Sequence, residues 1–197
     1  MGKHATIAEV IAAIERGPKP PLIAIDGLPC SGKTALVEQL SERLDLDCIY
    51  LDEFVLPEAD WPAGIRPGFP FPYIRYDAFL DVVRTLASTG ECSYFPFDWK
   101  ALTTSSMART VSLTNPVIVE GVSALNPELC ALYGLKIFVD SDRATTLTAA
   151  VDRGVGKWAA EWHDLFLPSA DIYMQSGPIG RADLIIAGRG IIDGETD

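Results

Sequence analysis

Apolar positions in the 197-residue chain change their spacing from segment to segment. Ile7, Val10, Ile11 and Ile14 fall at i, i+3, i+4 and i+7, which predicts an amphipathic helix near the start. "PLIAID" (21–26) is instead an unbroken apolar run and predicts a strand, with a helix following over Lys33 to Leu44. "DCIYLD" (47–52) predicts a second strand. The next stretch, 56–76, carries prolines at 57, 62, 67, 70 and 72, too many missing backbone donors for regular structure. A loop this long in a compact domain is usually functional or mobile. A helix over 77–88 follows, then short extended segments in "CSYFPFDW" (92–99) and "RTVSL" (109–113), and a buried type of strand in "PVIVEG" (116–121). "NPELCALYG" predicts a helix with Asn126 as N-cap, Pro127 at the first position and Gly134 as stop. "LKIFVD" (135–140) predicts a strand and "SDRATTLTAAVDRG" a helix capped by Ser141 or Asp142. A last helix over 158–174 and a final strand in "ADLIIAG" (182–188) complete the pattern.

Strands that alternate with helices, each strand an apolar run, indicate a mainly parallel sheet covered on both faces. The expected fold is therefore α/β, a doubly wound sheet with helices on both sides, in one domain over 1–197 without repeats or linkers. Ligands of such sheets bind at the carboxyl ends of the strands. Asp52, Glu120 and Asp140 lie at or just inside those ends.

Charge narrows the partners. A formal net charge of −11 leaves too few clustered Lys and Arg for a nucleic-acid backbone, so no nucleic-acid partner is expected. A small anionic ligand needs only a local positive site. No stretch approaches the roughly 18 to 20 apolar residues that span a bilayer, and the first helix carries Glu9 and Glu15 with no small-residue cleavage pattern. No membrane partner is expected, and the expected location is cytoplasmic. Cys30, Cys48, Cys92 and Cys130 are widely spaced and read as reduced, mostly buried thiols. With His4 and His163 as the only histidines, a His-based metal site is not expected. Helices flanking the sheet could pair across a two-fold axis, so a homo-oligomer is compatible with the pattern but not demanded by it.

Between the first strand and its helix, Gly27, Leu28, Pro29, Cys30, Ser31, Gly32, Lys33 and Thr34 satisfy GxxxxGK[ST]. Glycines let the backbone curl so that its N–H groups face phosphate oxygens, and the following helix presents its positive N-terminus. Lys33 can then bridge the β- and γ-phosphates, and the Thr34 hydroxyl can ligate Mg²⁺. The strand before the motif and the helix after it are its confirming context. Hydrolysis, transfer and switching all use such a loop, so the acidic residues decide. Glu120, ending a buried strand, is placed to hold Mg²⁺; Asp52 can take a proton from an acceptor hydroxyl or join the Mg²⁺ site. Glu53 points away if successive strand side chains alternate.

The ordered set "IAIDGLPCSGKT", "YLDEF", "FPFDW", "VIVEG" and "LKIFVDSD", running from about Leu22 to Ala187, resembles the uridine kinase family, within the group that includes phosphoribulokinase and pantothenate kinase. The resemblance implies an ATP- (or GTP-) dependent, Mg²⁺-using kinase. It assigns Asp52, with Phe54 after it, as general base and Glu120 to the metal. Phe97, Asp98 and Trp99 would lie by the acceptor nucleoside, with Tyr76 and Asp77 as a further acceptor pair. Core packing is the alternative for Phe97, Trp99 and Tyr76.

One departure stands out. The family carries several arginines on the helix after "FVD" and on the lid beyond it, at about 153–160 here. This chain has Thr146, Ala149 and Ala150 where arginines are expected, leaving Arg143, Arg153 and Lys157. Arg153 best matches a lid arginine, with Lys157 beside it on the nucleotide. Either these suffice, or Arg66, Arg75 or Arg109 compensates, or activity on nucleosides is weak. The expected function is phosphoryl transfer to a small-molecule hydroxyl, most simply that of uridine or cytidine. A sugar, sugar phosphate or pantothenate-like alcohol is the alternative acceptor, and a nucleotide-binding module with little transfer is the alternative class.

Overall fold

The computed structural model describes residues 4–19, 21–153 and 158–191. Helix α1 (Ile7–Arg16) opens on a capping box between Thr6 and Glu9, and buries Val10 and Ile14. Strand β1 (Leu22–Gly27) leads through the phosphate loop into α2 (Lys33–Ser41), and β2 (Asp47–Tyr50) follows. Helix α3 spans Tyr76–Thr89, stopped by Gly90 in the left-handed region. An arm comes next: β3 (Glu91–Tyr94), β4 (Phe97–Asp98), β5 (Thr103–Thr104) and β6 (Arg109–Ser112), in which β3 pairs antiparallel with β6 and β4 with β5. Strands β7 (Val117–Glu120) and β8 (Leu135–Asp140) precede α4 (Arg143–Arg153), α5 (Ala159–Glu161), α6 (Leu167–Met174) and β9 (Leu184–Ala187).

The central sheet has the order β2-β7-β1-β8-β9, and every pairing in it is parallel. Side chains alternate across it. Ile23 and Ile25 pack with Val10 and Ile14 of α1 and with Leu36, Val37 and Leu40 of α2 on one face. Leu22 and Ala24 join Phe79, Val83 and Leu86 of α3 on the other. Two apolar layers on one sheet explain why the strands read as unbroken apolar runs, and the doubly wound expectation holds.

Three expectations need correction. The second strand ends at Tyr50, and Leu51–Phe54 is a 3₁₀ turn, so Asp52 sits on a turn beyond the strand. No helix forms over 126–134. Asn126 does accept from the Glu128 N–H, but its amide donates inward to the Tyr76 hydroxyl, and Gly134 N–H already bonds Leu22. Only a 3₁₀ turn, Cys130–Leu132, fits in that distance. The helical run from 159 to 174 is interrupted by a π-turn at Trp162–Phe166, closed by Leu167 N–H on the Trp162 carbonyl. Pro168 lacks the N–H that an unbroken α-helix would use, which accounts for the interruption.

The proline-rich stretch is a loop, as expected. It contains a 3₁₀ turn, Glu58–Asp60, and its ends are tied by a Val55–Ile74 bridge. It then packs on the helical run: Gly68 N–H donates to Ser169 Oγ, and the Trp61 and Tyr73 rings both meet Phe166 edge-on. The loop is a wall, with a defined partner.

Candidate active site at the phosphate loop

A cavity of about 1260 Å³ opens at the carboxyl ends of the sheet strands. Its floor is the phosphate loop. Gly27 has φ +151°, and a Cβ there would stand 2.6 Å from the Val139 carbonyl oxygen, so β8 can approach only a glycine. Gly32, at φ +110°, starts α2 without any side-chain cap, leaving the first amides of the helix for a ligand. Lys33 is buried. Its Nζ donates to the carbonyls of Leu28 (2.9 Å) and Gly27 (3.2 Å) and faces Glu120 at 3.7 Å. Ser31 Oγ is buried in the same loop with no hydrogen-bond partner, as expected where a phosphate oxygen would complete the cradle.

Glu120 ends β7 inside this floor. Burial pushes its pKa up to about 7, with Lys33 opposing the rise and Asp52 and Asp26 adding to it. Crowded carboxylates under a phosphate cradle suit a hard cation, and Thr34, Glu120 and Asp52 supply oxygen donors on the cavity. Among the described residues no three acidic, imidazole or thiol side chains form a ready-made cage. Mg²⁺ characteristically keeps waters and phosphates in its shell and takes one or two carboxylates from protein, a demand that Glu120 and Asp52 could meet.

Neighbours on the 3₁₀ turn after β2 diverge. Asp52 is exposed to the cavity, and its charge reaches Glu120 and Tyr73. Glu53 turns away as expected, accepting from the Tyr94 hydroxyl at 2.5 Å and pairing with Arg109 at 2.6 Å.

The opposite end of the cavity is aromatic. Trp61 and Tyr73 come from the proline-rich loop, Trp99 from the arm, and Trp158, Trp162 and Phe166 from the helical run. Trp99 and Trp158 meet edge-on at 5.9 Å, and Trp162 and Phe166 at 5.3 Å.

No family model matches the chain. Curated relatives include a uridine kinase of Bacillus mycoides (strain KBAB4), 25% identical over 147 residues, 70% of this chain and 68% of that protein. The tRNA-specific adenosine deaminase subunit tad2 of Schizosaccharomyces pombe is 30% identical over 140 residues, 68% of this chain but 33% of that protein. The zinc-deaminase signature, His-x-Glu with Pro-Cys-x-x-Cys, does not occur in this sequence. Among solved structures, a possible uridine kinase from Bacillus stearothermophilus superposes with a TM-score of 0.70 at 21% identity, over 91% of this chain and 96% of that one. A Silicibacter sp. TM1040 protein, provisionally described as a fructose transport system kinase, reaches 0.68 at 21% identity, over 94% and 98%. The chain is a homologue of the uridine kinases and has the P-loop kinase fold.

Within that kinase fold the expected residues fare unequally. Leu28 lends its carbonyl to Lys33, while Pro29, Cys30, Ser31, Gly32, Lys33, Thr34, Asp52, Trp99 and Glu120 line one cavity. Phe97 is buried behind Trp99. Asp98 is exposed and caps the β4–β5 turn through the amides of Lys100 and Ala101, which hold its carboxyl below the usual range. Tyr76 is a core residue, bonded to Ser123 and Asn126, and Asp77 is exposed in the first turn of α3; neither lines the cavity, because α3 starts with its ring side against the sheet. Arg153 is the last residue of α4, its side chain outside the described residues, as is Lys157.

Of the candidates that could compensate, Arg66 does not line the cavity, and Arg75 and Arg109 are committed elsewhere, as is Arg143 of α4. Arg75 donates to Glu53 and Phe95 carbonyls, Arg109 pairs with Glu53, and Arg143 with Asp171. Of the three positions lacking an arginine, Thr146 and Ala150 are buried and only Ala149 faces the cavity.

Two features were not anticipated. Arg189 lines the cavity beside the loop, its Nε on the Cys30 carbonyl and its N–H on that of Ser31. Its position just past the last strand, where such sheets bind ligands, was the available signal. Asp26 is fully buried one residue before the loop, accepting from the amides of Gly27, Ser123 and Leu125 and from the Tyr173 hydroxyl. Burial pushes its pKa up against those four donors. A lone carboxylate in an apolar strand was its mark in the sequence.

Proposed function

We propose that the protein is a small-molecule kinase that transfers the γ-phosphoryl group of ATP or GTP to a hydroxyl, with a nucleoside such as uridine or cytidine as the first acceptor to try. The observation that carries this reading is the convergence of Lys33, Glu120 and Asp52 on one cavity that continues into an aromatic chamber. The names of the curated relatives support the nucleoside.

On this reading the phosphates lie on the amides opening α2 and meet Ser31 Oγ, and Lys33 exchanges its carbonyl partners for phosphate oxygens. Thr34 and Glu120 would hold Mg²⁺, which supplies charge stabilisation of the transferring group. Asp52 takes the proton of the acceptor hydroxyl as that oxygen bonds to the γ-phosphorus and the bond to the nucleoside diphosphate breaks. A second reading, binding with little transfer, has one observation in its favour: among the described side chains, α4 turns Ala144, Thr145, Thr148, Ala149 and Asp152 toward the cavity and no arginine.

Mass spectrometry of a mixed panel of nucleosides, sugars, sugar phosphates and pantothenate with Mg-ATP tests both. An Asp52-dependent gain of one phosphate is expected. Nucleotide binding that depends on Lys33, with no product on any panel member, supports the second reading.

A further inference from the structure

Strands β1 and β7 part where the phosphate loop begins. Their register ends with Ile25 opposite Glu120, closed by Gly121 N–H on the Ile25 carbonyl. Beyond that bond β1 runs into the loop and β7 turns away through Gly121, Val122 and Ser123. A side chain then takes over the tie between them. Asp26 Oδ1 accepts from Gly27 N–H at 2.6 Å on one chain and from Ser123 N–H at 3.1 Å on the other. Its Oδ2 accepts from Leu125 N–H at 2.8 Å and from the Tyr173 hydroxyl of α6. Arg181 backs this clasp, with Nε on the Leu125 carbonyl and Nη2 at 3.4 Å from the Tyr173 hydroxyl.

Each tied segment leads to a part of the candidate site. Gly27 opens the loop, and its carbonyl receives Lys33 Nζ. The other segment begins at Glu120. Within it Gly121 meets the side chain of Leu51, the neighbour of Asp52, so closely that a Cβ would not fit. Ser123 holds φ +86°, kept there by its N–H on Asp26 and its Oγ on the Tyr76 hydroxyl. A non-glycine residue stays in the left-handed region only where its surroundings over-determine it. Asp26 itself is fully buried and does not line the cavity, so any part it has in the chemistry is played through these neighbours.

Resting on the kinase reading, we propose that Asp26 is a positioning residue. Its carboxylate, with Tyr173 behind it, sets the spacing between the phosphate loop and the turn after Glu120, and so aligns Lys33, Glu120 and Asp52 on the phosphates. Three of its four donors are main-chain N–H groups, which cannot accept, so both arms of the side chain must be oxygens. A carboxylate kept for stability alone would lower the unfolding midpoint and leave ligand affinity as it was.

The test compares Asp26→Asn, Tyr173→Phe and Val83→Ala in the full chain, each well below its urea midpoint. Asp26→Asn keeps the shape but sets an amide N–H₂ against at least one backbone N–H, which forces the clasp open. The calorimetric Kd for Mg-ATP is expected to rise about tenfold and kcat to fall about tenfold to a hundredfold, as when partners that orient a site from behind are removed. Tyr173→Phe leaves three of the four donors and is expected to raise that Kd about threefold. Val83→Ala, a truncation in the α3 core, is expected to lower the midpoint with Kd and kcat within about twofold of the parent. Unmoved Kd and kcat in Asp26→Asn overturn the inference and leave the kinase reading standing. So does a Val83→Ala chain that, at equal loss of midpoint, binds Mg-ATP as weakly as Asp26→Asn. If Asp26→Asn does not fold, Tyr173→Phe decides: a raised Kd upholds the positioning role and an unchanged one overturns it. If the parent chain transfers phosphate to no acceptor, the kinase reading fails and the Kd values still decide. Weakened Mg-ATP binding in Asp26→Asn alone then upholds Asp26 as the residue that sets the loop, and equal binding in all variants discards it.

Discussion

The two ends of the cavity are built by opposite means. The phosphate end is a run of consecutive residues, 27 to 34, in which backbone shape and one lysine matter more than side-chain bulk. The aromatic end is all bulk: rings from the proline-rich loop, the arm and the helical run, meeting edge to edge. A phosphate is the same in every nucleotide, so a rigid local loop suffices to hold it. On the kinase reading an acceptor varies, and its site would be assembled from segments that can change without touching the chemistry.

Substitutions can break that division. Lys33→Ala is expected to cost on the order of a thousandfold in kcat/KM for transfer, since on the kinase reading Lys33 would hold the phosphates. A loss below tenfold would detach the loop from the reaction. Asp52→Asn is expected to lower kcat on the order of a hundredfold with the KM for ATP unchanged. Its neighbour supplies the contrast: Glu53→Ala loses the Arg109 pair and the Tyr94 bond, costing about 1–3 kcal/mol in urea unfolding with little change in kcat. The reverse outcome, activity lost at Glu53 and kept at Asp52, would move the general base.

Gly188→Ala is a smaller perturbation aimed at the nucleotide end. Its Cβ would meet the carbonyl oxygens of Asp140 and Ser31 at 2.6 Å, so about 1–3 kcal/mol of stability is expected to go, read by denaturant midpoint. An unchanged midpoint would mean that the strand β9 end is not packed on the loop. Ala149→Arg has the smallest expected effect. It returns a cation to the one cavity-facing position of the three and should raise kcat several-fold, short of the orders of magnitude that a fully positioned arginine supplies. A fall in kcat would show that α4 has no room for it.

The same division decides what could be read beforehand. The loop is contiguous and its geometry is forced by its glycines, so its sequence nearly states its structure. Asp52 and Glu120 were legible because strand ends in a parallel sheet converge on one rim. Tyr76 and Asp77 misled because motif position says nothing about which way the first turn of α3 faces. Trp158, Trp162 and Phe166 were given only a place on the last expected helix, 158–174, although their i, i+4, i+8 spacing drew one aromatic stripe. What that stripe faced depended on Trp61 and Tyr73, about a hundred residues earlier, and local pattern carries no information on that pairing.

That distance has a consequence for how the molecule comes into being. Gly68 bonds Ser169 across 101 positions, and Glu58 approaches Trp158 across 100. Contacts of such separation wait on the closure of a long loop. During synthesis the phosphate loop and its flanking strands can take shape while the far side of the chamber is still on the ribosome. If the kinase reading holds, arrested or truncated chains would then bind nucleotide with no place to put a phosphate, and retention on a nucleotide column would count them as whole.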